Sequence, residues 1–125
     1  MKRITVTILA ATLCVLSTGV DAETAGEVSG WCQAFGDIQA GSGGQFPMPN
    51  TADAMRCWGA FTAVQDLIML TMSRKPVLQV CAPPESTRIE LIHVYLHYVK
   101  QNPQEEHVGF GPVAMAALWE AYPCR

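Results

Sequence analysis

The most explicit chemical spacing in this chain is Glu90-x-x-His93-x-x-x-His97. On a helix these three side chains share one narrow strip, and two imidazoles a turn apart beside a carboxylate form a donor set for a divalent cation. The details argue against it. A hydrolytic zinc helix needs Glu directly after the first His, where Val94 stands, and Glu90 lies two turns from His97, too far for one ion to reach all three. The strip is therefore expected to be a polar stripe facing water, with no metal. Other catalytic candidates fail on their surroundings. Gly41-Ser42-Gly43 lacks the strand and helix of a nucleophile elbow, Glu105-Glu106 reads as a solvated charge pair in a loop, and Gly41 to Gly44 follows a helix rather than the strand a phosphate-binding loop requires. The sequence predicts a protein that is not an enzyme and has no cofactor.

These residues sit on a pattern that is helical throughout. Thr24 with Glu27 three positions on forms a capping box, and Val28, Trp31, Cys32 and Phe35 follow on one face, so a first helix is expected from about Ala25 to Gln39, ending in the glycines 41 to 44. Thr51 caps a second helix from about Ala52 to Met72 whose buried face holds Cys57, Trp58, Ala60, Phe61, Val64, Ile68 and Met69, opposite Arg56, Gly59, Ala63 and Asp66. Pro76 closes it, and Val77-Leu78-Gln79-Val80 is too short to be a strand with partners. A second capping box, Thr87 with Glu90, opens a third helix running to about Gln101. Its apolar residues cover most of the circumference, so it should be central, with Glu90, His93, His97 and Lys100 left for solvent. After a polar loop from Asn102 to Gly111, Pro112 takes the first position of a last helix to about Tyr122, with Met115, Leu118, Trp119 and Tyr122 facing the core. The fold class is all-α: a small single-domain bundle of about four helices.

Composition narrows the partners. The 125 residues are 50% hydrophobic and 15% charged, with a formal net charge of -3, which leaves no basic field for nucleic acid and none for an anionic membrane. Lys2 and Arg3 precede an apolar run to Val20, and Val20-Asp21-Ala22 ends in the small-residue pattern of a cleavage site, so residues 1–22 read as a cleaved secretory signal and 23–125 as the folded domain. Cleavage would remove Cys14 and leave Cys32, Cys57, Cys81 and Cys124, an even set in an exported chain. Their wide spacing does not suit zinc, which points to two disulfides. Four cysteines allow three pairings. Cys32 and Cys57 lie on the buried faces of consecutive helices while Cys81 and Cys124 lie just outside helix ends beside prolines, which favours Cys32 with Cys57 and Cys81 with Cys124.

From Cys57 onward the motifs Cys57-Trp58-Gly59-Ala60-Phe61, Cys81-Ala82-Pro83-Pro84, Tyr95-Leu96, Asn102-Pro103 and Ala121-Tyr122-Pro123-Cys124 occur in an order and spacing that resembles the Rap and Tai immunity proteins of type VI secretion systems. Ala60 and Ala63 stand where that family often has Tyr and a second Gly. The resemblance implies a small, exported, all-helical protein, generally a homodimer, that binds a peptidoglycan amidase in the periplasm and blocks its cysteine active site with a projecting loop. The matching loop here is Asn102 to Gly111, with Gln104, Glu105, Glu106, His107 and Phe110 as contact candidates. A rival expectation is a small periplasmic stress protein or chaperone, switched at low pH by His93, His97 and His107. A metal-binding protein would rest on the histidine strip alone.

Overall fold

A computed structural model describes residues 22–39, 45–72 and 79–125. The expected signal segment up to Asp21, the glycine run 41–44 and Val77-Leu78 lie outside the described residues. Among the described residues four α-helices make the fold: α1 (Ala25–Cys32), α2 (Ala52–Met72), α3 (Arg88–Gln101) and α4 (Phe110–Ala121). Among the described residues no strand forms, and two isolated antiparallel bridges, Thr24 with Gly109 and Val80 with Pro123, are the only extended pairings.

Both capping boxes are present. The Thr24 N–H donates to Glu27 Oε2 at 2.8 Å and the Glu27 N–H to Thr24 Oγ1 at 3.3 Å, satisfying two backbone donors that the first turn leaves without helical partners. Thr87 and Glu90 repeat the arrangement at 2.6 and 3.3 Å. Thr51 accepts from the Ala54 N–H at 3.1 Å and starts α2.

The first helix ends earlier than its periodicity predicts. After Cys32 a single 3-10 turn, Gln33–Phe35, tightens the backbone and turns Phe35 fully inward. The Phe35 carbonyl then accepts from the Ile38 N–H at 3.2 Å and lies 2.9 Å from His93 Nε2. These partners replace the helical bond that a continuing α1 would have made. Tertiary pairing has won over helix propensity here.

Two side chains expected in the core stand outside it. Met69 is 54% exposed and Trp119 also 54% exposed. The buried stripe of α4 is Val113, Ala114, Ala117 and Leu118, and Trp119 falls on the opposite side of the wheel. Hydrophobicity could not locate that stripe because α4 is apolar all round; the close-packed alanines decide it instead. α4 also begins two residues before Pro112, with Gly109 as its N-cap. Pro112 sits at the third helical position, still within the turn whose N–H groups need no helical acceptor.

The core is bound by two disulfides in the favoured pairing. Cys32–Cys57 joins α1 to α2 at a Cα separation of 5.2 Å, with both residues at 0% exposure. Cys81–Cys124, at 5.0 Å, lies nearer the surface and ties the segment before α3 to the chain beyond α4. Between these staples Phe61, Tyr95 and Phe110 form a mutual edge-to-face cluster with centroids 5.4 to 5.6 Å apart. The buried Tyr95 hydroxyl donates to the Ala25 carbonyl at 2.7 Å, so α3 holds the start of α1. Arg88 lies 4.3 Å over the Trp58 ring and donates twice to Gln65 Oε1, fixing the start of α3 on α2.

Candidate functional site

The segment from Asn102 to Gly111 is a built structure. Asn102 ends α3 by donating its N–H to the Tyr98 and Val99 carbonyls, and its side-chain amide donates to the Tyr98 carbonyl at 2.9 Å. Pro103–Glu105 form one 3-10 turn, continued by Val108 N–H to the Glu105 carbonyl at 2.9 Å. The segment then runs against the beginning of α1. The Ala25 N–H donates to the Val108 carbonyl at 2.8 Å, the Gly26 N–H to the Glu106 carbonyl at 2.9 Å, and the Phe110 N–H to the Glu23 carbonyl at 2.9 Å. Loop carbonyls thus occupy two of the N–H donors that every helix start leaves over.

Gly26 makes this approach possible. A Cβ there would lie 3.2 Å from the Glu106 carbonyl oxygen and 3.3 Å from the Glu106 Cβ, tighter than ordinary packing. The Thr24–Glu27 pair sits beside it, and hydrogen bonds from the Thr24 backbone and hydroxyl hold the Glu27 carboxyl below its usual range.

The sequence-selected residues divide into two groups. Gln104, Glu106 and His107 are exposed, whereas Glu105 is half-buried and accepts from the Tyr98 hydroxyl at 3.3 and 3.5 Å. Desolvation, and after it the Glu105 charge, pushes the Tyr98 phenol up. Phe110 is half-buried and packs in the aromatic cluster, with one edge left to a groove of about 540 Å3 that it shares with Trp31, Met55 and Arg56. Its ring therefore supports the loop from beneath. Val108, which no sequence motif singles out, is 43% exposed on the same loop. Nothing in the residue pattern marks it, because its position follows from the backbone bonds on either side.

The histidine strip is divided by other duties. Glu90 is committed to its capping box, His93 to the Phe35 carbonyl, and His97 is exposed. Among the described residues no group of three or more His, Cys, Asp or Glu side chains is placed to hold a metal ion, and no helix is long and apolar enough to cross a membrane. Two disulfides fit a secreted or periplasmic protein.

No curated protein and no solved structure matches the chain. The sequence model of the Rap1a immunity proteins does, over residues 11–124, a span that includes all four helices and both disulfides. Immunity proteins are generally non-enzymatic and imply an effector as partner. An all-helical chain with these Cys-Trp-Gly and Tyr-Pro-Cys motifs, matched over that length, belongs to the Rap1a immunity protein family of type VI secretion systems.

Proposed function

We propose that this protein is a periplasmic immunity protein that binds and inhibits a peptidoglycan amidase delivered by a type VI secretion system. The loop Asn102 to Gly111 is the inhibitory element in this reading, and the protein has no catalytic role of its own. The observation that carries the proposal is the fastening of that loop. Three backbone hydrogen bonds to residues 23 to 26 fix its course while the side chains of Gln104, Glu106, His107 and Val108 stand at the surface. A loop already ordered before binding loses less conformational freedom on docking, which favours affinity. Glu105 contributes through its tie to Tyr98, and Phe110 through the edge it leaves to the neighbouring groove.

The proposal includes a homodimer, for which the exposed Leu67, Met69 and Leu70 near the end of α2 offer apolar surface. The same exposure favours a second reading, a small periplasmic stress protein that holds unfolded clients. Replacing Gln104, Glu106 and His107 together separates the two. In the immunity reading the triple variant melts within about 0.5 kcal/mol of the parent, as surface changes do, and loses inhibition of the amidase encoded beside its gene. Full inhibition by the variant overturns the loop mechanism. Suppression of client aggregation, with no effect on the amidase by either protein, supports the second reading.

A further inference from the structure

The 21-residue helix α2 covers its apolar side and leaves the other outward. Ala54, Cys57, Phe61, Val64 and Ile68 are buried and fall within about 60° of Phe61 around the axis. Met55, Arg56, Gly59, Ala63, Asp66 and Leu67 are exposed and centre on the side opposite Phe61. Gly59 is less favourable than alanine inside a helix, and a Cβ there would meet no described atom within 4 Å beyond its own stretch of helix, so packing within the chain does not call for it. The outward residues are also symmetric about Phe61. Met55 and Leu67 stand six positions to either side of it, Arg56 and Asp66 five, Gly59 and Ala63 two. Apolar is thereby matched with apolar, cation with anion and small with small. Asp66 enters no ion pair among the described residues, while Arg56 has an exposed pair with Asp53 at 3.3 Å, of a kind that contributes little, and a place over the Trp31 ring.

We propose that this face of α2 packs antiparallel against the same face of a second copy of the chain, about a twofold axis level with Phe61. A surface that is its own complement under reversal is what such a contact requires. The axis sets Met55 level with the partner's Leu67, Gly59 with the partner's Ala63 and Arg56 with the partner's Asp66, each pair occurring twice. A parallel arrangement would instead set Arg56 against Arg56 and Asp66 against Asp66. The small central pair lets the two backbones approach closely, with the apolar pairs flanking it. Arg56 and Asp66 lie about 40° to either side of the stripe's midline, so the guanidinium reaches diagonally across the seam. Helices crossing at an angle shorten that reach, and donors that Asp53 leaves unused meet the carboxylate. The inference rests on the homodimer included in the function proposed above and names its surface, which uses none of Asn102 to Gly111. One helix face is at the small end of specific interfaces, so association is expected to be weak.

The test follows the disulfide-bonded protein by sedimentation equilibrium over a wide concentration range, alongside the charge swaps Arg56→Asp and Asp66→Arg. The parent is expected to dimerise reversibly. Each single swap sets like charges against each other at both ends of the seam and should weaken the dimer about tenfold. Mixed one to one, the two single-swap proteins bring opposite charges together again and should associate as strongly as the parent, as should the double swap. Recovery in the mixture also shows that both variants fold. Ala63→Glu, at an exposed position, puts a carboxylate into the centre of the seam and should leave a monomer with the parent's helical circular dichroism. Dimers of Ala63→Glu as strong as the parent's, or single swaps that recover neither in the mixture nor in the double swap, would overturn the seam and leave the homodimer to another face. A parent that stays monomeric at every concentration would overturn both the seam and the homodimer. Inhibition of the neighbouring amidase, tested by the loop substitutions, would stand or fall separately.

Discussion

Helix α4 is held at both ends by a single antiparallel bridge, and the two bridges are backed differently. Before it, Gly109 pairs with Thr24, with the contacts of Ala25, Gly26 and Phe110 around it, all non-covalent. After it, Pro123 pairs with Val80, the Cys81 N–H donates to the Tyr122 carbonyl at 2.8 Å, and the Cys81–Cys124 disulfide closes the joint. The end that carries the candidate loop is thus fastened by bonds that exchange with water, whereas the opposite end is fastened covalently. A small domain has limited core to spend on holding chain ends, and here the crosslink takes up one of them. The other stays adjustable where a partner would dock.

The largest test of that contrast removes the crosslink. Cys81→Ser with Cys124→Ser opens a closure spanning 43 positions and is expected to cost about 4 kcal/mol in the loop-entropy account, read as a lowered urea midpoint. At the other end, Phe110→Ala should cost about 3 kcal/mol, because the ring shares the core cluster with Phe61 and Tyr95. Amidase inhibition would then fall along with stability. Inhibition lost with the melting curve unmoved would make Phe110 a contact residue and remove it from the scaffold.

Alkaline titration reaches the same end from beneath. Burial pushes the Tyr95 phenol above its ordinary value of 10.0, and burial likewise raises Tyr98 and Tyr122. The unfolded chain releases these protons first as pH climbs, so the stabilisation is complete below about pH 10 and is lost as pH rises from there toward the folded values. Tyr95→Phe should flatten that decline, at the cost of the hydrogen bond to Ala25. An unchanged alkaline slope would assign it to the other two phenols.

Smaller effects sharpen the picture. Thr24→Ala removes the capping box beside the loop and should cost about 1 kcal/mol, with faster hydrogen exchange at the amides of Ala25 and Gly26 and none at Cys81. Gly26→Ala gains helix propensity but presses on Glu106, so its net stability change is expected to be within about 1 kcal/mol. Its signature is a loop displaced from α1, visible as weakened protection of the same two amides.

What the residues disclosed in advance follows from local physics. The two capping boxes and the Thr51 cap are contained within four-residue windows, and they appear where their spacing placed them. The disulfide pairing was legible because helix faces and proline-flanked ends sort the four cysteines into two kinds. Trp119 and Met69 were misplaced for the converse reason: on a helix apolar all round, or apolar beyond the width of its neighbour, hydrophobicity does not say which side is covered. The end of α1 was decided by His93, 58 positions away from the carbonyl it meets, and no window contains both. Of the candidate site, the polar, proline-bounded loop was visible, while its fastening to α1 was not, since carbonyls leave no trace in residue type. Val108 is the consequence, an exposed apolar residue whose role comes entirely from its backbone.

The bridge between Thr24 and Gly109 also sets an order of assembly. Its halves come from the cap of α1 and the residue before α4, far apart in the chain, and the Cys81–Cys124 crosslink spans 43 positions. Contacts between distant segments form late, after the local helices that reduce the search between them. A chain emerging from the N-terminus outward can therefore build α1, α2 and their buried disulfide, and with them the helix start on which the loop will rest, before the loop itself exists. The candidate binding surface is among the last features to exist, and any product cut short before Asn102 lacks it altogether.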